Sequence, residues 1–127
     1  MKYWIVLLFL LSVIGVSGQV KNVDITTIKE REMTGKFLVD VRTPEEFAEG
    51  HIKGALNLNY DDPDFAAQWK DIDRETPVYL YCGSGKRSTK AAGVLDSLGF
   101  EKIFNLKGGY RAWKKAKDKK KPGNDRE

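Results

Sequence analysis

Hydrophobic positions along this chain cluster into short apolar runs separated by amphipathic segments. The runs are Val23–Ile25, Phe37–Val41, Ala55–Leu58, Val78–Tyr81 and Ile103–Leu106, each of a length and composition that predicts a short strand. Helix signals fill the intervals. Thr26 or Thr27 can open a helix that runs to Met33. Thr43-Pro44-Glu45-Glu46 reads as an N-cap, a proline at the first helical position and acids in the first turn, with Gly50 as the stop. A third helix starts at Asp62-Pro63-Asp64 and runs through Trp69. A fourth runs from Thr89 to Leu98, capped by Ser88 and ended by Gly99, and a last one from Tyr110 to Ala116. Strands alternating with helices predict a single α/β domain with a parallel sheet covered on both faces. In such sheets ligands bind beyond the carboxyl ends of the strands.

The longest apolar run lies outside this pattern. Met1 and Lys2 precede an apolar stretch from Tyr3 to Val16, followed by Ser17-Gly18, which reads as a secretory signal cleaved before Gln19. The stretch is shorter than the roughly 20 apolar residues of a spanning helix. An uncleaved N-terminal anchor is the alternative. Removal of residues 1–18 leaves 109 of the 127 residues, enough for one compact domain. The expected destination is outside the cytoplasm, periplasmic or secreted. A monomer is expected.

Charge is unevenly placed. The formal net charge is +4, yet residues 19–113 sum to −1. The excess sits in 114–127, where seven Lys and Arg face three Asp and Glu. The chain therefore divides into a signal (1–18), a domain (19–113) and a Lys-rich tail (114–127). The tail reads as a solvated helix end, with weak adhesion to an anionic membrane or polymer surface as its functional alternative. No aromatic residues interleave these lysines, so nucleic-acid binding is not expected. One cysteine and one histidine supply too few soft ligands for a metal site, and no cofactor is expected.

The chemistry concentrates at Cys82, the only cysteine. It heads the run Cys82-Gly83-Ser84-Gly85-Lys86-Arg87-Ser88, between the strand ending at Tyr81 and the helix from Thr89. Two glycines let successive N–H groups point into the turn, and the helix adds its positive N-terminal end. Lys86 and Arg87 add full charges that would attract an anionic donor. Each of these terms favours a thiolate. Cys82 and Arg87 are separated by four residues. A gap of five would encircle a tetrahedral phosphate, as in cysteine phosphatases; the tighter ring suits a smaller group such as one added sulfur atom. His51, the only histidine, reads as a structural tie between loops rather than the base for this thiol. Asp40 and Arg42 end another strand. They could border the pocket, but a structural pairing of Arg42 with Glu45 or Glu46 is favoured. Trp69, Phe100, Phe104, Tyr110 and Trp113 read as core or pocket rim.

At this loop the chain resembles a rhodanese domain of the single-domain thiosulfate sulfurtransferase type. Cys82-Gly83-Ser84-Gly85-Lys86-Arg87-Ser88 matches the family's Cys-x-x-Gly-x-Arg-Ser pattern. Leu38-Val39-Asp40-Val41-Arg42, with Pro44 to Phe47 and Gly50-His51-Ile52-Lys53-Gly54-Ala55-Leu56-Asn57, forms a second block. Val94-Leu95 through Leu98-Gly99-Phe100, Asn105-Leu106-Lys107-Gly108-Gly109-Tyr110 and Trp113 form a third, and the blocks together cover about Val23 to Trp113.

The resemblance implies a rhodanese-like fold and double-displacement catalysis. Cys82 would take the outer sulfur of thiosulfate as a persulfide and pass it to cyanide or a thiol. Gly83, Ser84, Gly85, Lys86, Arg87 and Ser88 would bind the substrate and the persulfide. Three alternatives stand beside it: a persulfide carrier or redox partner module that takes sulfur from another protein, a phosphatase or arsenate reductase, and a binding module whose cysteine is idle.

Overall fold

The computed structural model describes residues 19–120, so the signal-like segment 1–18 and the last seven residues lie outside the described part. The five apolar runs become strands β1 (Gln19–Asp24), β2 (Phe37–Asp40), β3 (Leu56–Asn57), β4 (Val78–Tyr81) and β5 (Lys102–Lys107). They form one sheet in the order β1-β5-β4-β2-β3, with every neighbouring pair parallel. Helices α1 (Glu30–Thr34), α2 (Pro44–Glu49), α3 (Phe65–Gln68), α4 (Lys86–Ser97) and α5 (Gly109–Lys119) occupy the connections.

Successive strand side chains point to opposite faces, so the sheet separates two cores. On one face Val39, Val78, Leu80 and Ile103 meet Phe65 and Trp69 at α3 and Ala91, Ala92 and Leu95 of α4. On the other, Leu38, Tyr81 and Leu106 meet Ile25, Ile52 and Met33, with Tyr110, Ala112 and Trp113 of α5 packed against them. This is the parallel α/β fold with both faces covered that the alternation of strands and helices predicts. Strand β4 lies at the centre of the sheet, and Cys82 follows it directly.

Several boundaries differ from expectation for local physical reasons. Strand β1 begins four residues earlier than its apolar run because it is an edge strand, in register with β5 from Gln19↔Lys102 to Asp24↔Lys107. Its Lys21 and Asn22 are exposed and carry no hydrophobic signal. Thr26 and Thr27 do not cap α1. Both hydroxyls turn back to Asp24, closing a turn, and α1 begins at Glu30 with Lys29 in the cap position. The expected cap at Thr43 is present as a complete capping box, with the Thr43 hydroxyl accepting the Glu46 N–H and the Glu46 carboxylate accepting the Thr43 N–H. Helix α4 starts two residues before the expected cap. Gly85, at φ 109°, ends the loop, and Ser88 lies inside the first turn. Helix α5 runs to Lys119, three residues beyond the expected end at Ala116, so the start of the Lys-rich tail is a helix end.

Trp69 is fully buried and receives three edge-on rings: Phe37 at 6.1 Å, Phe65 at 5.9 Å and Phe100 at 5.5 Å between centroids. Such contacts add to the large apolar area an indole buries. Trp69→Ala is expected to lower the unfolding free energy by about 3–5 kcal/mol in urea titration. A loss below about 1 kcal/mol would mean that α3 is not held through this residue.

Candidate active site

The Cys82 side chain sits at the end of β4, with 1% of the residue exposed. The chain then turns through Gly83, Ser84 and Gly85 and enters α4 at Lys86. Within this turn the peptide groups share one orientation. The carbonyls of Cys82 and Gly83 face outward and accept the N–H groups of Tyr110 (2.7 Å) and Arg111 (3.1 Å) at the start of α5. The amides face inward, and the Gly85 N–H donates to Cys82 Sγ at 3.0 Å. Ser88 Oγ lies 3.5 Å from the same sulfur.

Burial pushes the Cys82 thiol up, and on its own would keep it protonated. The Ser88 hydroxyl and the N–H groups of Ser88, Gly85 and Ser84 favour the charged form and outweigh burial, leaving the pKa below its ordinary value. The sulfur is thus stabilised by neutral dipoles in contact with it.

Glycine is imposed at two points, by close approach at 109 and by backbone conformation at 85. A Cβ on Gly109, at φ 64°, would run into the carbonyl oxygens of Cys82 and Gly83. Gly85 holds its left-handed φ where the loop meets Gly108. The Gly85 carbonyl accepts Thr89 Oγ1 at 2.8 Å and lies 3.1 Å from Ser88 Oγ, whose single proton goes to this carbonyl while Cys82 is a thiol donating to Ser88, and turns to the sulfur when it is a thiolate. Behind Thr89, the buried Asn105 of β5 donates one N–H to Thr89 Oγ1 (3.0 Å) and the other to Asn22 Oδ1 on β1 (3.1 Å). Strand β5 thereby braces the loop from beneath.

The charged residues are arranged differently from expectation. Arg87 does not face the sulfur as a free cation. Its guanidinium is bidentate on Glu46, at 2.7 and 2.9 Å, which joins α4 to α2. Glu46 therefore does not hold Arg42. Arg42 instead pairs with Asp40 on the same strand end, with Nη2 to Oδ2 at 2.6 Å, donates to the Gly50 carbonyl and stacks 4.3 Å from the Tyr110 ring centroid. Asp40 and Arg42 are both buried. Lys86 and Ser84 are exposed at the loop. His51 stacks on Phe47 at 3.7 Å and its Nδ1 lies 2.9 Å from the Phe47 carbonyl, a local tie at the end of α2. Among the described residues no group of three or more His, Cys, Asp or Glu is placed to hold a metal.

Cys82, Gly83, Ser84, Gly85 and Ser88 therefore come together as expected, Arg87 is diverted into a pair, and Ser88 serves the sulfur instead of capping a helix. Thr89, Asn105, Glu46 and Gly109 are added to the site. Glu46, Asn105 and Gly109 lie in the blocks that carry the family resemblance, but nothing in the sequence alone gives them these partners.

Residues 24–116 match the rhodanese-like domain, and the chain belongs to that family. It is 38% identical over 78 residues to the thiosulfate sulfurtransferase GlpE of Tolumonas auensis, an alignment covering 61% of this chain and 71% of that protein. It is 40% identical over 91 residues to the Bacillus subtilis protein YqhL, covering 68% of this chain and 71% of that one. Among solved structures it superimposes on reduced CoADR-RHD of Bacillus anthracis with a TM-score of 0.68 and 28% identity, covering 79% of this chain but 17% of that one.

Two outcomes are expected. Ser88→Ala removes the largest interaction that lowers the Cys82 pKa, so the thiol should titrate at higher pH than in wild type, read from the ultraviolet absorbance of the single thiolate. An unchanged titration would show that the loop amides act without the hydroxyl. Glu46 is held at about 2 chiefly by its hydrogen bonds to Arg87. Its folded pKa lies below its unfolded one, so its stabilisation is fully present above about pH 4.5 and is lost as pH falls through about 2. Glu46→Gln should therefore be less stable than wild type at neutral pH, by no more than about 1 kcal/mol for so exposed a pair. The two proteins should converge in thermal melts as the pH approaches 2.

Proposed function

We propose that this protein transfers sulfane sulfur through a persulfide on Cys82. The observation that carries the reading is a buried sulfur at the turn into α4 that accepts the Gly85 N–H at 3.0 Å, with the Ser84 and Ser88 N–H groups also favouring its charged form. In the first half-reaction the Cys82 thiolate attacks the outer sulfur of a donor such as thiosulfate. A bond forms between Sγ and that sulfur, the donor's S–S bond breaks, and sulfite leaves with the electron pair. The persulfide carries its charge one atom further out, where the N–H groups of the loop and the start of α4 can hold it. In the second half-reaction a nucleophile such as cyanide or a thiol attacks the outer sulfur, and Sγ recovers its electron pair. Lys86, exposed at the loop, supplies attraction for an anionic donor. Gly83, Ser84, Gly85 and Ser88 shape the cradle, while Arg87 acts through Glu46 to hold the loop between α2 and α4. The name carried by the Tolumonas relative supports a thiosulfate sulfurtransferase.

We further propose that residues 1–18 direct the chain out of the cytoplasm. Strand β1 starts at Gln19, at the end of the parallel sheet opposite the one that leads into Cys82. Whether the segment is cleaved or kept as an anchor, it joins the domain on the side away from the sulfur.

Intact mass before and after thiosulfate, with Cys82→Ser alongside, tests both proposals. Wild type should gain one sulfur, lose it to cyanide, and the variant should gain none. A reduced, folded protein that gains nothing would refute the thiosulfate reading and point to a protein donor. The same spectrum reads the N-terminus: a mature chain beginning at Gln19 is the mark of a cleaved signal.

A further inference from the structure

The cations of α5 are sorted into stripes. Arg111, Lys115 and Lys119 recur at four-residue spacing on one face of the helix and span about 12 Å along its axis. They line a groove of about 620 Å³ together with Lys114, Asp118, Tyr110, Arg42 and the α2 residues Glu46 and Glu49. Gly83, the residue next to Cys82, lines the groove beside Arg111, whose N–H its carbonyl accepts. The stripe is in register with the loop, because the Tyr110 and Arg111 N–H groups are bonded to the Cys82 and Gly83 carbonyls.

Pairing removes most of the other charges in the groove. Arg42 is held by Asp40, Glu46 by Arg87, and Lys114 bridges to Asp118 at 3.2 Å. Among the described residues no side-chain partner is found for Arg111, Lys115 or Lys119, and of the three lining carboxylates only Glu49 is likewise unpaired. Lys117 and Lys120 line a separate groove beside α1, where Lys117 lies 3.6 Å from Glu30 and over the Trp113 ring. Like charges at four-residue spacing destabilise a helix, so the stripe is a local liability that a bound anion would relieve.

We propose that this groove binds an elongated, multiply anionic thiol, a small molecule with two or more carboxylate or phosphate groups, laid along α5 with its sulfur beside Gly83. Its volume is that of a small-molecule site, and neither cyanide nor thiosulfate is long enough to use it. The role as acceptor rests on the sulfur-transfer reading above. The acceptor thiolate attacks the outer sulfur of the Cys82 persulfide, the new S–S bond forms as the bond to Sγ breaks, the electron pair returns to Sγ, and the acceptor leaves as a persulfide.

The test uses matched probes, N-acetyl-Cys-Glu-Glu and the uncharged N-acetyl-Cys-Gln-Gln amide, whose extended length of about 10 Å approaches that of the stripe. Binding of the S-methylated probes is measured by calorimetry at low salt, where no sulfur chemistry is required. Sulfur transfer to the free thiols is measured separately. The acidic probe should bind and accept sulfur better than the neutral one by about tenfold, and Lys115→Glu/Lys119→Glu should erase that preference. Transfer from the preloaded Cys82 persulfide to uncharged 2-mercaptoethanol, with no thiosulfate present, should be unchanged, which also shows that the variant is folded. Equal binding of the two probes to wild type, or a preference that survives the double variant, overturns the proposal. Probe binding without any persulfide formation leaves the groove standing and removes the thiosulfate chemistry.

Discussion

Everything at Cys82 depends on which way the peptide groups of Cys82 to Gly85 face. A buried sulfur would ordinarily stay protonated, because desolvation penalises the charged form. Here the amides turn inward, and they can do so because something else accepts the burden of the outward carbonyls. The first two N–H groups after Gly109 bond the Cys82 and Gly83 carbonyls, and the Thr89 hydroxyl bonds the Gly85 carbonyl. Helix α5 is thus part of the loop's hydrogen-bond inventory even though it follows Cys82 by some 25 residues. Its unsatisfied N-terminal donors and the loop's unsatisfied acceptors complete each other. The contact is so close that only glycine fits at 109.

The rest of the fold gives that contact a fixed frame. Strand β4 is central, buried on both faces and paired on both sides, so the position of Cys82 is set by β2 and β5 together. The Asn105 amide then carries the frame into the loop, linking β1 to Thr89 across the sheet. A polar residue at a fully buried strand position is costly unless its hydrogen bonds are made. Here one N–H holds Thr89 at the turn and the other holds Asn22 of β1, while Oδ1 finds no partner among the described residues, so the asparagine in the apolar run of β5 acts through its two donors. Glu46 does the same from the other side. Its capping box starts α2 and its carboxylate also receives Arg87, so one side chain fixes a helix start and a loop wall.

How much of this was legible in the amino-acid sequence follows from the range of each interaction. The strands β2, β4 and β5 announce themselves by local apolar content, and the α2 start by a cap whose partners lie three residues apart. The Cys82 turn is legible because its glycines, hydroxyls and cysteine are adjacent. What could not be read are choices between partners. Glu45 and Glu46 were the expected partners for Arg42, yet Asp40 holds it, and the fold puts Glu46 beside Arg87 instead. Ser88 next to a helix has the composition of a cap. It becomes a sulfur ligand because Gly85 takes the left-handed conformation and starts α4 three residues sooner. Helix α5 is read from Tyr110 to Ala116 and continues to Lys119; the added residues Lys117, Asp118 and Lys119 carry no apolar side chain, so its end has no hydrophobic signature.

These partner choices also divide the electrostatics of the site into two regimes. The arginines nearest the sulfur are committed: Arg42 to Asp40 and Arg87 to Glu46. Stabilisation of charge on Cys82 therefore falls to N–H and hydroxyl dipoles that are in contact with the sulfur and shielded from solvent, where dissolved ions have little influence. The cations that remain uncommitted, Lys86 at the loop and the α5 stripe, sit on exposed side chains along the approach, where salt screens them. Under the proposed sulfur transfer the two tasks are separable. Holding the thiolate and the persulfide is the work of fixed dipoles, and gathering anionic reactants is the work of mobile lysines. A cation placed directly against the sulfur would do both at once, but it would also bind sulfite, the leaving group, as strongly as the donor. Keeping the full charges at a distance avoids that product trap while preserving the attraction that brings the donor in.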